Sequence, residues 1–370
     1  MNKLILCLLF TFVLVPSRQS KGNDPGTVKI AAIFATSGDA RDDNSSAVAG
    51  VKYAAAYYNK HGGINGRRID LIVFDNKSTL EGSRQAAEEA VKAHVLAIIG
   101  CGWSSHSMEV AAVAQRNRLP MITNVASSPA VTQVGNYIFR VCFTDPYQGK
   151  FMALFAWNDI KAKTAVIFQQ NTGEYSPGLA KQFTATFENA GGKVLKLIPY
   201  TIESPDFTEY LKEVKRLAPD VIFFPGHYET GRIMKQARLM GIQSVFLGAD
   251  GWGTPGFFQE GGSYIDNAYY DSHWDLADTS RASRDFVKDF GNNEYTIAPA
   301  ALAFDAVGVL VKACSTVSDL GDPEALRKAI AATANYPGVT GTITLNENRD
   351  PIDKKAVIIK IEHGQQRFYK

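Results

Sequence analysis

Residues 95–129 read VLAIIGCGWSSHSMEVAAVAQRNRLPMITNVASSP, and their pattern decides the fold. Val95 to Ile99 is an unbroken apolar run of strand length. Gly100 and Gly102 break it, and Ser104 and Ser105 stand where a helix cap belongs. Met108, Val110, Ala111, Val113 and Ala114 then recur at helical spacing. Leu119 to Thr123 is a second short apolar run, entered through Pro120 and ended by Asn124, with Ser127, Ser128 and Pro129 beyond it. A strand, a helix and a strand in this succession imply parallel strands, because antiparallel ones need no crossover. Both serine turns then lie outside the carboxyl ends of the strands, where open α/β sheets take their ligands. A helix N-terminus at that edge offers unpaired N–H groups and partial positive charge, which suit a carboxylate or a phosphate. The hydroxyls of Ser104 and Ser127 add donors or acceptors. One such serine is more often a helix cap; two on adjacent strands point towards a site.

The same alternation extends in both directions. Upstream, Val28 to Ala35 and Ile69 to Phe74 read as strands, separated by a helix with Val48, Val51, Ala55 and Tyr58 on one face and Gly62-Gly63 at its end. Downstream, after a strand near 136–143 and a helix opened by Asp145-Pro146, the α/β pattern restarts and runs to Val245–Leu247, followed by Gly248-Ala249-Asp250-Gly251-Trp252. The fold class expected is α/β: two Rossmann-like lobes, each a mostly parallel sheet flanked by helices. The tail carries more helices and then two strands, enough to return to the first lobe and cross again. Three strands at the resulting hinge restrict motion to opening and closing. The division expected is 27–143 plus 275–340 for the first lobe and 144–274 plus 341–370 for the second.

Composition narrows the function. The chain has 370 residues, 45% of them hydrophobic, and a net charge of +2 with charges interspersed, so no nucleic-acid partner is implied. Residues 1–17 differ: Lys3 precedes an apolar run from Leu4 to Val15, then Pro16 and Ser17, the layout of a cleaved secretory signal and too short for a comfortable membrane span. No other stretch is read as a span, so the mature chain is expected outside the cytoplasm. Cys7 lies inside the apolar run. Cys101, Cys142 and Cys314 remain; their odd number leaves at least one unpaired and their pairing open.

Several stretches together resemble the type I periplasmic solute-binding proteins of ABC importers, in particular the branched-chain amino acid (Leu/Ile/Val) receptors. They are Ala35-Thr36-Ser37-Gly38, the turn from Asn59 to Gly66, Ile98 to Ser105, Pro120 to Pro129, Gly231 to Gly241 and Gly248 to Trp252. The resemblance implies an amino acid bound between the lobes and delivered to a membrane permease, a periplasmic location, a monomer, and no cofactor or metal. It implies roles for particular residues. Ser104, with Ser105 beside it, meets the ligand carboxylate, Val125 contributes main-chain contacts, and Ser127 touches carboxylate and ammonium. Asp250 pairs with the ammonium. Tyr175 closes over the ligand from the second lobe, together with Tyr228 or His227. Asp43 stands where the family often has a tyrosine, and it can meet a polar or cationic side chain. Trp103 and Trp252 are candidates for an apolar pocket or for the core.

Other readings compete. Ser104 and His106 are too close along the chain for a nucleophile and base, and there is no G-x-S-x-G, H-E-x-x-H, C-x-x-C or G-x-x-x-x-G-K. His61, His94, His106, His227, His273 and His363 show no ligand spacing. An enzyme is therefore disfavoured. A receptor of the same fold for short amides, urea or aromatic acids, or a sensory module, stays open.

Overall fold

In the computed structural model, which describes residues 26–291 and 297–370, five parallel strands form the first sheet. They are β1 (Thr27–Phe34), β2 (Arg68–Asp75), β3 (Ile98–Gly100), β4 (Met121–Thr123) and β5 (Ile138–Arg140), in the order β2-β1-β3-β4-β5. The second sheet repeats that order. Its strands β6 (Thr164–Gln170), β7 (Lys193–Tyr200), β8 (Val221–Phe224), β9 (Val245–Gly248) and β10 (Ala268–Ser272) run parallel as β7-β6-β8-β9-β10. The expected signal segment, residues 1–17, lies outside the described residues.

Each sheet is covered on both faces, which explains why its strands read as continuous apolar runs rather than alternating ones. In β1, Ile30, Ala32 and Phe34 join a core with the helices Arg41–Lys60 and Ile297–Cys314, while Ala31 and Ile33 point to the helices Leu80–Lys92 and Ser104–Arg116 on the other side. In β6, Val166 and Phe168 meet one core and Ala165 and Ile167 the other. The helix Ile297–Cys314 is long and apolar enough to cross a membrane, but it is mostly buried as the central helix of the first-lobe core.

The first sheet ends after Arg140, and the helix Asp145–Asn158 belongs to the second lobe. The chain returns beyond Ser272: Trp274 packs with Phe286, Ile297 and Ala300 of the first lobe. It crosses a third time after Asp350. Here the structure corrects the expected division. Residues 341–350 are not in the second lobe. The strands β11 (Tyr336–Gly338) and β12 (Gly341–Ile343) form a separate antiparallel hairpin, and Ile343 and Leu345 are part of the first-lobe core. The cause is Asp305, buried on the helix Ile297–Cys314, which accepts from Val339 N at 2.7 Å, Thr340 N at 3.0 Å and Thr340 Oγ1 at 2.6 Å. The terminal strands then extend the second sheet, β13 (Val357–Glu362) antiparallel to β10 and β14 (Gln365–Phe368) antiparallel to β13.

Candidate functional site

In a sheet of order 2-1-3-4-5 the crevice opens between the first and third strands, at their carboxyl ends. Loops from both lobes reach the cleft there, those following β1, β3 and β4 in the first and those following β6, β8 and β9 in the second. Between them lies a cavity of about 330 Å³, within the usual range for small-molecule sites of ~300–1,000 Å³.

The β3 loop is held close to β1. Gly100 has φ +130°, and a Cβ there would sit 2.2 Å from the carbonyl oxygen of Ile33, so only glycine fits. The helix Ser104–Arg116 follows. Its N-cap is Trp103 and no side chain caps it, so Ser104 and Ser105 do not act as caps. A tryptophan has no oxygen to offer, and the first-turn N–H groups remain without a side-chain acceptor. Ser104 Oγ instead accepts from Ser128 N at 3.2 Å, tying the β3 and β4 turns together and leaving its own proton available.

Ser104, Val125 and Ser127 line the cavity from the first lobe, and Tyr175, His227 and Asp250 from the second. Asp43 and Trp103 line it as well. Three of the sequence candidates lie elsewhere. Ser105 and Tyr228 face a neighbouring pocket with Asp39, His106 and Glu174. Trp252 is fully buried in the second-lobe core, stacked on Phe257 at 4.6 Å, and Gly248 at the end of β9 makes room for it: a Cβ there would lie 2.2 Å from the indole. Tyr175, read as part of a loop, begins the helix Tyr175–Asn189.

Asp250 is the polar centre of the second lobe. Oδ1 accepts from the Tyr175 hydroxyl at 2.7 Å and Oδ2 from His273 Nε2 at 2.8 Å. With its amide nitrogen turned to the acids, Gln148 donates to Asp250 Oδ1 at 2.9 Å and Asp271 Oδ2 at 3.1 Å, and its oxygen accepts from Ser127 Oγ at 3.3 Å. Gly251 lets the β9 loop lie against the loop after β8: a Cβ there would meet Gly226 O at 2.6 Å and His227 Nδ1 at 2.9 Å. Burial and the Asp250 carboxylate push the Tyr175 hydroxyl well above its ordinary value, so it keeps its proton and donates. Burial lowers His273, with Asp250 acting against it, and brings His227 down to about 4. Burial raises the neighbouring Asp145 to about 8 and Asp271 well above the carboxylate range, with Asp250 adding to both. One end of the cavity is thus acidic and the other carries the positive pole of a helix. No group of three or more His, Cys, Asp or Glu among the described residues could hold a metal ion.

Aromatic rings close the cavity. His227 lies between Trp103 and Tyr175, with centroids at 4.6 and 4.8 Å, and His106 backs Trp103 at 5.3 Å. Sequence reasoning missed His273 and Gln148. His273 is 23 residues from Asp250 and reaches it only because β9 and β10 are neighbours; Gln148 sits one turn into a helix whose apolar content hides it. Cys101, Cys142 and Cys314 are buried and unpaired.

Comparison with known proteins agrees with this geometry. The family model for periplasmic binding proteins matches residues 27–366. Leu/Ile/Val-binding protein homolog 3 of Brucella melitensis is 25% identical over 85% of this chain and 86% of its own length. The leucine-, isoleucine-, valine-, threonine-, and alanine-binding protein of Pseudomonas aeruginosa is 25% identical over 93% of this chain and 92% of its own. The crystal structure of the leucine binding protein LivK from Thermotoga maritima superposes with a TM-score of 0.88 at 31% identity, over 93% of this chain and 98% of that one. LivJ from Streptococcus pneumoniae, solved in complex with isoleucine, gives 0.86 at 27% identity, over 92% and 98%. With two lobes of like strand order around a shared cavity, the chain belongs to the periplasmic binding protein family.

Proposed function

We propose that this chain is the extracytoplasmic receptor of an ABC importer, closing on an α-amino acid between its lobes and presenting it to the membrane permease. One observation carries the reading. The uncapped N-terminus of the Ser104–Arg116 helix and the Asp250 carboxylate, from opposite lobes, line the same cavity. A zwitterion brings a carboxylate to the first and an ammonium to the second. Ser104, the main chain at Val125 and Ser127 hold it on one side; Asp250 and Tyr175 hold it on the other. Because these contacts come from both lobes, the ligand favours the closed form by its differential affinity for the two states. The relatives named for leucine, isoleucine and valine, and the isoleucine complex, support an amino acid as the ligand class. The apolar segment at 4–15 supports export through a cleaved signal, and the receptor acts as a monomer without turnover.

Calorimetric titration of the protein, freed of ligand by unfolding and refolding, with each common amino acid is the test. A heat of binding with at least one, fitting a micromolar dissociation constant and so a binding free energy of about −8 kcal/mol, and recovery of that ligand unchanged are expected. No heat with any of them would overturn the assignment.

A further inference from the structure

Asp43 occupies the cavity in a state that a neutral side chain leaves unresolved. It stands in the first turn of the helix Arg41–Lys60 and lines the cavity. Both its carboxylate oxygens are buried and neither makes a well-formed hydrogen bond; the side chains of Thr254 and Trp103 are the donors beside them, and the charges that act on it, Glu229 and Asp42, are both negative. The second lobe seals it in: a Cβ on Gly256 would lie 3.1 Å from Asp43 Oδ1. Its neighbour Arg41 is turned to the exposed Asp42. Arg367, the only cationic residue among those lining the cavity, is largely exposed and lies 3.8 Å from Glu362. Glu229, buried beyond Asp43, adds further negative charge. Its Oε1 accepts from the Tyr200 hydroxyl at 2.6 Å, and its Oε2 has no partner.

A buried carboxylate without an opposite charge beside it is costly. A zwitterion with an aliphatic side chain does not remove that cost. Its carboxylate is matched by the helix N-terminus and its ammonium by Asp250, and Asp43 is left over. A second cation on the ligand closes the balance. Resting on the amino acid reading above, we propose that Asp43 is the specificity residue of this cleft and that it selects an α-amino acid whose side chain ends in a cation. The aromatic stack of Trp103 and His227 supplies a flat wall for the methylenes of such a side chain. Burial pushes Asp43 up to about 7, with hydrogen bonds from Thr254 and Trp103 acting the other way; a cation beside it would bring it back down.

Lysine and norleucine share a carbon chain and differ at its end by the ammonium, so their ratio reads this contact directly. Titration of the ligand-free protein with lysine, norleucine and leucine should give lysine the tightest binding, roughly ten- to a hundredfold over norleucine. In Asp43→Leu the order should invert, and in Asp43→Asn lysine should lose most of its advantage. Norleucine or leucine binding as tightly as lysine to the unaltered protein would overturn the inference while leaving the amino acid reading intact. Heat with no amino acid at all would overturn both.

Discussion

The indole of Trp103, carried by the first lobe, lies nearly parallel to the imidazole of His227 from the second, with 10° between the planes. The contact joins the two halves directly beside the cavity that both residues line. Offset aromatic pairs contribute about 0.5–1.5 kcal/mol beyond the area they bury. Trp103→Ala should therefore weaken ligand binding roughly tenfold, and small-angle scattering should show a larger radius of gyration at a ligand concentration that fully closes the unaltered protein. Trp103→Phe should retain most of the affinity. An alanine variant that binds and closes normally would show that the stack does not stabilise closure.

Asp250→Asn keeps the shape of the loop and removes its charge. Tyr175 and His273 lose an ionised acceptor, and the ligand ammonium loses its counter-ion. Amino acid affinity should fall by about 2–5 kcal/mol, read by calorimetry. Stability to denaturant should hold or rise, because the substitution removes one of three neighbouring buried carboxylates, the others being Asp145 and Asp271. Loss of binding together with loss of folding would point to a structural role instead.

Asp145 predicts the direction of a pH dependence. Its carboxyl is raised to about 8 in the folded chain, first by burial and then by Asp250, against about 3.9 in an unfolded one. Below pH ~4 the group is protonated in both states and makes no difference. Above that, the unfolded chain gives up the proton and the folded chain keeps it, so stability falls as pH rises and levels off above about 8. Denaturant unfolding at pH 5, 7 and 9 should show this decline, to which Asp43 and Asp271 add with the same sign, and Asp145→Asn should make it shallower. A variant with the slope of the unaltered protein would show that another group sets it.

Arg140 is fully buried where the first crossing begins. Its Nε donates to Asp350 Oδ1 at 2.5 Å, Nη1 to Ala126 O at 2.7 Å, and Nη2 to Ser128 O at 2.7 Å and Thr132 Oγ1 at 3.0 Å. It binds the β4 turn to the third crossing. Arg140→Leu should cost about 3–5 kcal/mol of stability, seen as an earlier denaturant midpoint, with weaker ligand binding because Ser127 lies between two of its acceptors. An unchanged midpoint would contradict this account.

The fold was legible in residues 95–129 because parallel strands buried on both faces leave apolar runs too short for helices, punctuated by glycine and serine. The chain between 336 and 350 was not legible. Its lobe is decided by Asp305, more than thirty residues away, and no local pattern announces that contact. At the site, Ser104, Ser127 and Asp250 each end a strand and could be placed from strand order. Ser105 and Tyr228 could not, because one step along a first helical turn rotates a side chain by ~100° and carries it to the other side of the aromatic stack. Trp252 shows the opposite difficulty: a large ring between glycines reads equally well as lining or as core until the packing around Phe257 and Tyr270 is known.

The matching strand order of the two sheets has a consequence for how such a molecule diversifies. Each half presents the same kind of rim to the cleft, and that rim consists of short connections that no buried strand depends on for its register. Recognition can therefore be rewritten at a few tips while both frameworks stay as they are. For engineering, grafting the first-helix turn around Asp43 from one receptor to another is a smaller disturbance than any repacking of the sheets, and a natural first step towards a sensor with a chosen cargo.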